Sequence, residues 1–240
     1  MQLTISTVEK VCKVLVLCLS EMLGVALLMF FGCMGCIVDV HPIPTYVFAA
    51  FNFGLAVALA IQVVVHISGA HLNPAVSVAA WIMGKLELYL VPFYIIAQII
   101  GGLIGYGFII ALLPDTYTDG LCVTVPNPLV SEVQALFLEI IGTTAMVLLV
   151  CSVWDPRNHG LFDSLSLKLG LMIATIFISI GPFSGGGFNP PRSFAPSVYH
   201  NVWKSHWVFW LGPMLGGIIA PLLYRFTFLE GLSKVKMGKE

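Results

Sequence analysis

Six long apolar stretches constrain the fold of this chain more than any other feature of its sequence. They cover about residues 11–38, 44–64, 87–113, 131–153, 166–183 and 206–228. A helix crosses the hydrocarbon core of a bilayer with about 20 apolar residues, each rising about 1.5 Å. Only 10% of the residues are charged, whereas soluble domains carry about 25%, so we expect lipid as the solvent. The sequence therefore predicts an all-α membrane protein with six transmembrane helices.

Two further apolar segments are too short to span a membrane. They lie at about residues 74–84 and 190–199, and each follows a run of small residues. Non-helical backbone at membrane depth is tolerated only where it is packed in protein or lines a wet cavity. We therefore predict two re-entrant half-helices within a single transmembrane domain over residues 1–240.

The two halves of the chain resemble each other. Glu21 and Glu139 stand 118 residues apart, and the pairs Asn73-Pro74 and Asn189-Pro190 stand 116 residues apart. Each half holds three predicted spans, an odd number, so the halves must have opposite topology. Inverted repeats of this kind place a site near the membrane midplane, between the halves. The first repeat covers about residues 11–113, the second about 131–228, and a tail follows over about 229–240.

The basic residues are distributed unevenly along this topology. With the N-terminus in the cytoplasm, nine of them face inward and two face outward, in accord with the positive-inside rule. The inward-facing residues are Lys10, Lys13, Lys85, Arg157, Lys168, Arg225, Lys234, Lys236 and Lys239, and the outward-facing ones are Arg192 and Lys204. We expect a multi-pass protein of the plasma membrane with both termini in the cytoplasm. No cleavage site follows the first span, which we expect to be retained, and a net charge of −1 argues against nucleic acid as a partner.

Each Asn-Pro pair is typical of a helix start. Asn is a favoured N-cap, and Pro fits the first helical position because its missing N–H would have no partner in the helix. Inverted symmetry brings the two positive helix ends together in mid-membrane. Donors there, with backbone carbonyls along the wall, suit a single file of small neutral molecules, and the positive centre disfavours cations. We expect an extended backbone before each pair, with a carbonyl ladder from Gly69, Ala70, His71, Gly185 and Gly187.

The six cysteines lie mostly inside apolar stretches, so we expect them to be buried free thiols. Cys33-x-x-Cys36 could be a redox pair, but it ends a hydrophobic span and lacks the βαβ context of such motifs. The sequence shows neither a metal-ligand spacing nor a nucleophile–base constellation. We therefore predict that the chain is not an enzyme and has no cofactor and no metal site.

The two loops carry a resemblance to the aquaporins, the major intrinsic protein family, which extends over about residues 10–228. Residues 66–75, HISGAHLNPA, match the first family motif in full. Residues 187–194, GFNPPRSF, match the second except at Pro191, where the family usually has Ala. Pro191 would be the second helical residue, whose N–H is also unpaired, so we expect tolerance. The resemblance implies an aquaporin-like fold with one pore per subunit of a homotetramer, passing water and small neutral solutes. The motif residues are Asn73, Pro74, Ala75, Asn189, Pro190 and Pro191.

The resemblance also implies a selectivity filter near the outer mouth. Arg192 occupies the position of the filter arginine, and registration against the Asn-Pro pairs adds Phe53, Phe177 and Gly186. Phe177 departs from the family pattern, because water-selective members usually have His there. Filters without that His often admit glycerol or urea, yet a Phe ring is larger and would have to turn away from the axis to widen the pore.

Other cues on the solute conflict. Glycerol-transporting members commonly have Asp after the filter arginine, whereas this chain has Ser193. The pair Phe209-Trp210 in the last span resembles water channels. We therefore favour water as a substrate and leave glycerol and urea open.

Two carboxylates and two histidines need their own explanation. A charge inside a membrane span costs at least about 2.5–3.5 kcal/mol, and a proton relay would need a chain of titratable groups that the sequence does not show. We therefore expect Glu21 and Glu139 to support the re-entrant loops by accepting backbone N–H bonds. We expect His66 to brace the first loop and His71 to lie beside the pore.

Helices in lipid pack through small residues. We expect packing roles for the glycines of the third and sixth spans, namely Gly101, Gly102, Gly105, Gly212, Gly216 and Gly217.

Two alternatives to a passive pore stay open, an ion-conducting channel of the same fold and a coupled transporter. The first would need acidic or carbonyl sites that favour cations, and the second would need paired ionisable groups facing a substrate.

Overall fold

The computed structural model of the chain describes residues 5–37, 46–158, 160 and 163–229. The predicted tail from residue 230 onward, with Lys234, Lys236 and Lys239, lies outside these residues. The helices are α1 (Ile5–Met34), α2 (Tyr46–Ser68), α3 (Pro74–Ile82), α4 (Val91–Leu112), α5 (Asp115–Thr118), α6 (Glu132–Trp154), α7 (Leu165–Ser184), α8 (Pro190–His200) and α9 (Val208–Tyr224).

The prediction of six spanning helices is confirmed. Within the described residues, six helices are long and apolar enough to cross a membrane, and they are Val8–Met34, Tyr46–Ser68, Leu88–Leu112, Glu132–Trp154, Leu165–Ser184 and Val208–Leu229. The first ends four residues before the predicted limit, because a turn follows Met34. The second runs four residues further than predicted, to Ser68, so that its last turn reaches the first re-entrant loop. We call the face at which α1 begins the inner face, and the opposite one the outer face.

The two short helices interlock the repeats. Helix α3 has 9 residues and α8 has 11, too few for the about 20 that a span needs. Helix α3 of the first half packs on α9 of the second, and α8 of the second half packs on α4 of the first. The long helices pair in the same symmetric way, α1 with α4, α6 with α9, and α2 with α7. The predicted half-helices therefore lie between the halves.

Glycines allow the closest helix crossings. A Cβ added to Gly101 would lie 2.2 Å from the Met22 carbonyl oxygen, and one added to Gly105 would lie 2.2 Å from that of Ala26. The other predicted glycines make close approaches too, Gly102 to Pro191, Gly212 to Glu139, Gly216 to Thr143 and Gly217 to Ala75. Small residues at these crossings let the backbones meet, as lipid-embedded helices require.

One sequence expectation is wrong. Cys33, at the outer end of α1, forms a disulfide with Cys122, and their Cα atoms lie 5.7 Å apart. The two residues are 89 positions apart in sequence, so only the tertiary fold brings them together. Cys12, Cys18, Cys36 and Cys151 are free thiols, of which Cys151 is buried and Cys12 is exposed.

The α1–α4 crossing yields a matched pair of substitutions. We expect Gly105→Ala to lower the midpoint of thermal unfolding in detergent, because the new methyl group would overlap backbone, at a cost of about 1–3 kcal/mol. Gly107→Ala, two residues away, would meet only the Tyr199 hydroxyl, the end of a side chain that can move. An equal effect of the two substitutions would contradict the close-crossing interpretation.

Candidate functional site

A cavity of about 750 Å³ runs between the two repeats from the inner face toward the outer one. At its inner mouth lie His66, Lys85 and Asp163, and Asn73 and Asn189 both line its wall. It ends at Phe53, Phe177 and Arg192. Apolar side chains cover much of the remaining wall, among them Leu28, Val57, Ile61, Met146, Val150 and Ile173.

The Glu21 carboxylate holds the first re-entrant loop. Its Oε1 accepts hydrogen bonds from Ser68 Oγ at 2.6 Å and the His71 backbone N–H at 3.0 Å. Its Oε2 accepts from the Leu72 N–H at 2.7 Å and from Gln98 Nε2 at 2.8 Å. The side chain is fully buried. Hydrogen bonds to a charged group are each worth roughly 1.5–3 kcal/mol, so four of them offset the cost of burying the charge.

Glu139 holds the second loop in the same way. Its Oε1 accepts from Ser184 Oγ at 2.7 Å and the Gly187 N–H at 2.9 Å, and its Oε2 accepts from the Phe188 N–H at 2.6 Å. Ser68 and Ser184, 116 residues apart like the Asn-Pro pairs, were missed by the sequence analysis although the repeat offset could have found them. The same is true of Gln98, a polar residue inside an apolar stretch.

The loop backbone is not extended as predicted. Ala70 and Leu72 have φ values of 50° and 54°, and Gly186 and Phe188 have φ values of 70° and 53°. The left-handed conformation costs a residue other than glycine roughly 1–2 kcal/mol. The hydrogen bonds to the glutamates offset this cost, because the left-handed turns point consecutive N–H groups at one carboxylate. The expectation failed because a local sequence does not show which distant acceptor its N–H groups will meet.

The two capping asparagines bind the opposite loops. Asn73 Nδ2 donates to the Phe188 carbonyl at 2.8 Å, and Asn189 Nδ2 donates to the Leu72 carbonyl at 2.8 Å. Both side chains are almost completely buried. The starts of α3 and α8 are thereby fixed to each other across the centre of the molecule.

Pro191 breaks the symmetry between the caps. Asn73 Oδ1 accepts a hydrogen bond from the Ala75 N–H at 2.9 Å. Asn189 Oδ1 is buried without a partner among the described residues, because Pro191 has no N–H to offer. The premise that this N–H would be unpaired in any case was therefore wrong, since its counterpart in the first loop is the cap donor.

The four predicted filter residues lie together. The rings of Phe53 and Phe177 are stacked, with centroids 4.9 Å apart and planes at 23°. Arg192 Cζ lies 5.2 Å from the first centroid and 5.7 Å from the second. A Cβ on Gly186 would lie 3.1 Å from the Phe177 ring. The Phe177 ring has therefore not turned aside, and it closes the outer end of the cavity against Phe53.

Arg192 is buried, with 6% of its surface exposed. Its Nη1 donates to the Cys122 carbonyl, while its Nε has no partner in the part of the chain that the structure describes. No carboxylate among the described residues forms a salt bridge with it. Its positive charge is instead placed over two aromatic faces, an arrangement favoured by cation–π attraction.

The remaining predicted site residues differ in whether they line the cavity. Gly69, Ala70, His71 and Gly187 line the cavity, whereas Gly185 packs against the Val125 carbonyl. The His71 ring is buried, with Nδ1 3.3 Å from Ser77 Oγ. His66 has an exposed side chain on the cavity wall, so the structure does not show it bracing the loop.

A cluster missed by the sequence analysis lies at the inner mouth. Asp155 accepts hydrogen bonds from Arg157 Nε at 2.8 Å and the Arg157 N–H at 2.9 Å, and from the Tyr224 hydroxyl at 2.8 Å. The Arg157 side-chain hydrogen bond, above all, holds the pKa of Asp155 well below its usual range. The ionised carboxylate thus ties the segment after α6 to α9 at neutral pH.

The unpaired Asn189 acceptor predicts the effect of one substitution. Pro191→Ala supplies the missing N–H, and satisfying a buried acceptor is worth about 1–3 kcal/mol, whereas losing proline costs about 0.4–1 kcal/mol through the unfolded chain. We expect a higher midpoint of thermal unfolding in detergent. The matched variant Ala75→Pro removes the equivalent donor and should lower the midpoint. A Pro191→Ala protein less stable than the wild type would contradict this account of the cap.

Comparisons with known proteins agree with this geometry. The sequence model of the family described as Major intrinsic protein matches residues 9–224. The lens fiber major intrinsic protein of Oryctolagus cuniculus is 35% identical over 217 residues, which cover 90% of this chain and 82% of that protein. Aquaporin-4 of Mus musculus is 33% identical over 201 residues, which cover 83% of this chain and 62% of that protein.

A solved structure shows the same fold. The aquaglyceroporin from Plasmodium falciparum superimposes with a TM-score of 0.81 at 27% identity, covering 92% of this chain and 99% of that one. Members of the matched family are channels and not enzymes. The chain belongs to the major intrinsic protein family, the aquaporins, and is a passive membrane channel for water or small solutes.

Proposed function

We propose that this channel conducts water in single file and excludes ions and protons. The observation that carries the proposal is the reciprocal pair of hydrogen bonds from Asn73 Nδ2 and Asn189 Nδ2 to the opposite loops, on the wall of one cavity. We further propose a homotetramer in the plasma membrane, with both termini in the cytoplasm and the outer face outside the cell.

The asparagine pair supports water selectivity through its free donors. Each amide has two N–H groups, and the bond to the opposite carbonyl uses one of them. The second can donate to the oxygen of a passing water molecule. A water that accepts from both amides points its own hydrogens away from the centre, so it cannot continue a hydrogen-bonded proton path through the midplane. The positive ends of α3 and α8 further disfavour hydronium and metal cations there.

The groups near the pore centre argue against the two alternative functions, although Asp155 and Asp163 line the inner mouth. An ion channel for cations needs acidic groups or carbonyl sites in the path, but Glu21 and Glu139 are fully buried and occupied by loop N–H groups. A coupled transporter needs paired ionisable groups that face its substrate within the membrane, and the burial of Glu21 and Glu139 argues against such a pair. The charge of Arg192 at the end of the cavity opposes cations as well.

The stacked rings support a narrow filter. Phe53 and Phe177 are in contact, so no water fits between them until one side chain moves. A small displacement admits water, whereas glycerol or urea requires the rings to separate further. We therefore propose water as the principal solute, passing whenever Phe177 swings from Phe53.

Osmotic swelling tests the proposal directly. Purified protein in proteoliposomes is exposed to gradients of water, glycerol and urea in a stopped-flow instrument. We expect water flux well above that of empty vesicles, lower flux of both solutes, and no proton leak measured with an entrapped pH indicator. Water flux equal to that of empty vesicles would refute the proposal, and proton or sodium currents would favour an ion channel.

The Phe177 ring yields a second prediction in the same assay. Phe177→His replaces a hydrocarbon ring with a smaller one that can bond water, so we expect water permeability per channel to rise and the glycerol-to-water ratio to fall. Phe183→His is the matched control, because Phe183 lies on the same helix with an exposed side chain. If both variants leave the ratio unchanged, Phe177 does not limit passage.

A further inference from the structure

The segment that follows α5 carries a covalent link to α1. Cys122 lies there with a φ of 61°, a conformation that residues other than glycine rarely adopt. Its partner Cys33 is completely buried in α1. The neighbouring Leu121 carbonyl accepts a hydrogen bond from the Tyr106 hydroxyl at 2.6 Å. The backbone around Cys122 is thus held to both α1 and α4.

The same residue contacts the filter. The Cys122 carbonyl accepts a hydrogen bond from Arg192 Nη1. Among the described residues, this carbonyl is the hydrogen-bond acceptor of the guanidinium. Since Arg192 Nε has no partner within residues 5–37, 46–158 and 163–229, the direction of the Cys122 carbonyl sets where the guanidinium lies over Phe53 and Phe177. Cys122 was expected to be a buried free thiol with no part in the filter.

We propose that the Cys33–Cys122 disulfide is a positioning element of the selectivity filter, which holds the Cys122 carbonyl on Arg192 and thereby fixes the width of the outer constriction. The inference rests on the proposed function of Arg192 as a filter residue. Without the covalent link, the strained backbone at Cys122 can relax and turn its carbonyl. Arg192 then loses its acceptor and samples other rotamers, and the constriction admits larger neutral solutes more readily.

The location of the disulfide fits its chemistry. The disulfide joins the outer end of α1 to the segment that follows α5. The proposed orientation places this face outside the cell. Disulfides persist in that oxidising environment and are rare in the cytosol. Cys36, three residues after Cys33, remains a free thiol whose Sγ lies 3.5 Å from the Gly32 carbonyl. Replacing Cys36 is therefore a matched control close to Cys33 in the sequence.

The test compares solute ratios in proteoliposomes. Cys33→Ser, Cys122→Ser and the double variant all lose the same bond, so we expect each to raise the glycerol-to-water permeability ratio by a similar factor. That factor should be roughly twofold to tenfold, the range that the loss of one positioning hydrogen bond gives. Cys36→Ser should behave as the wild type. Thermal unfolding of each variant reports the stability of the fold separately.

A second arm separates positioning from a merely structural role. In an Arg192→Ala background, adding Cys122→Ser should leave the solute ratio unchanged, because the group being positioned is gone. If Cys122→Ser raises the ratio equally in both backgrounds, the disulfide does not act through Arg192 and the inference fails. An unchanged ratio in all three cysteine variants, with water flux intact, also overturns it while sparing the proposed function. Wild-type vesicles without water flux would refute the proposed function instead.

Reduction of the wild-type protein keeps the inference testable should the serine variants fail to fold. Dithiothreitol transfers two electrons and two protons to the disulfide, giving two thiols, and itself closes to a cyclic disulfide. We expect the glycerol-to-water ratio to rise once thiol labelling reports two new thiols, and to return after reoxidation with diamide. New thiols without a change in the ratio would contradict the inference.

Discussion

The hydrogen bonds from two loops to two buried carboxylates support the rest of this structure. Backbone that leaves a helix inside a membrane must pair its N–H groups within the protein. Glu21 and Glu139 accept consecutive N–H groups of the loops before α3 and α8. These hydrogen bonds allow left-handed turns within the membrane, and they place the Asn73 and Asn189 amides against the opposite loops. The pore centre thus exists because two charges are buried where their partners satisfy them.

The repeats share this support but differ at the second cap and at the predicted filter. The first cap is complete, whereas Pro191 leaves Asn189 Oδ1 without a donor. The filter lies toward the outer face, where Phe177 packs on Phe53. There the backbone carbonyl of Cys122, which is disulfide-bonded to Cys33, accepts the hydrogen bond from Arg192. The carboxylate supports of the two loops are therefore symmetric, whereas the second cap and the outer constriction are not.

The sequence predicted features that depend on local composition or on the repeat. Apolar length gave the six spans, and Asn-Pro with a repeat offset gave both half-helices. It did not predict features that depend on which distant groups meet. The Cys33–Cys122 bond joins residues 89 positions apart, and the left-handed φ at Leu72 follows from an acceptor on another helix. The orientation of the Phe177 ring is likewise set by packing against Phe53, which its own segment does not encode.

Osmotic water permeability of a Glu139→Gln channel shows whether the buried carboxylate organises the pore. The amide keeps one acceptor but turns an NH₂ group toward loop N–H donors, so the second loop can no longer be held as in the wild type. With helix content unchanged by circular dichroism, the account predicts that water flux falls close to that of empty vesicles. Wild-type water flux through folded Glu139→Gln protein would show that the buried carboxylate does not organise the pore.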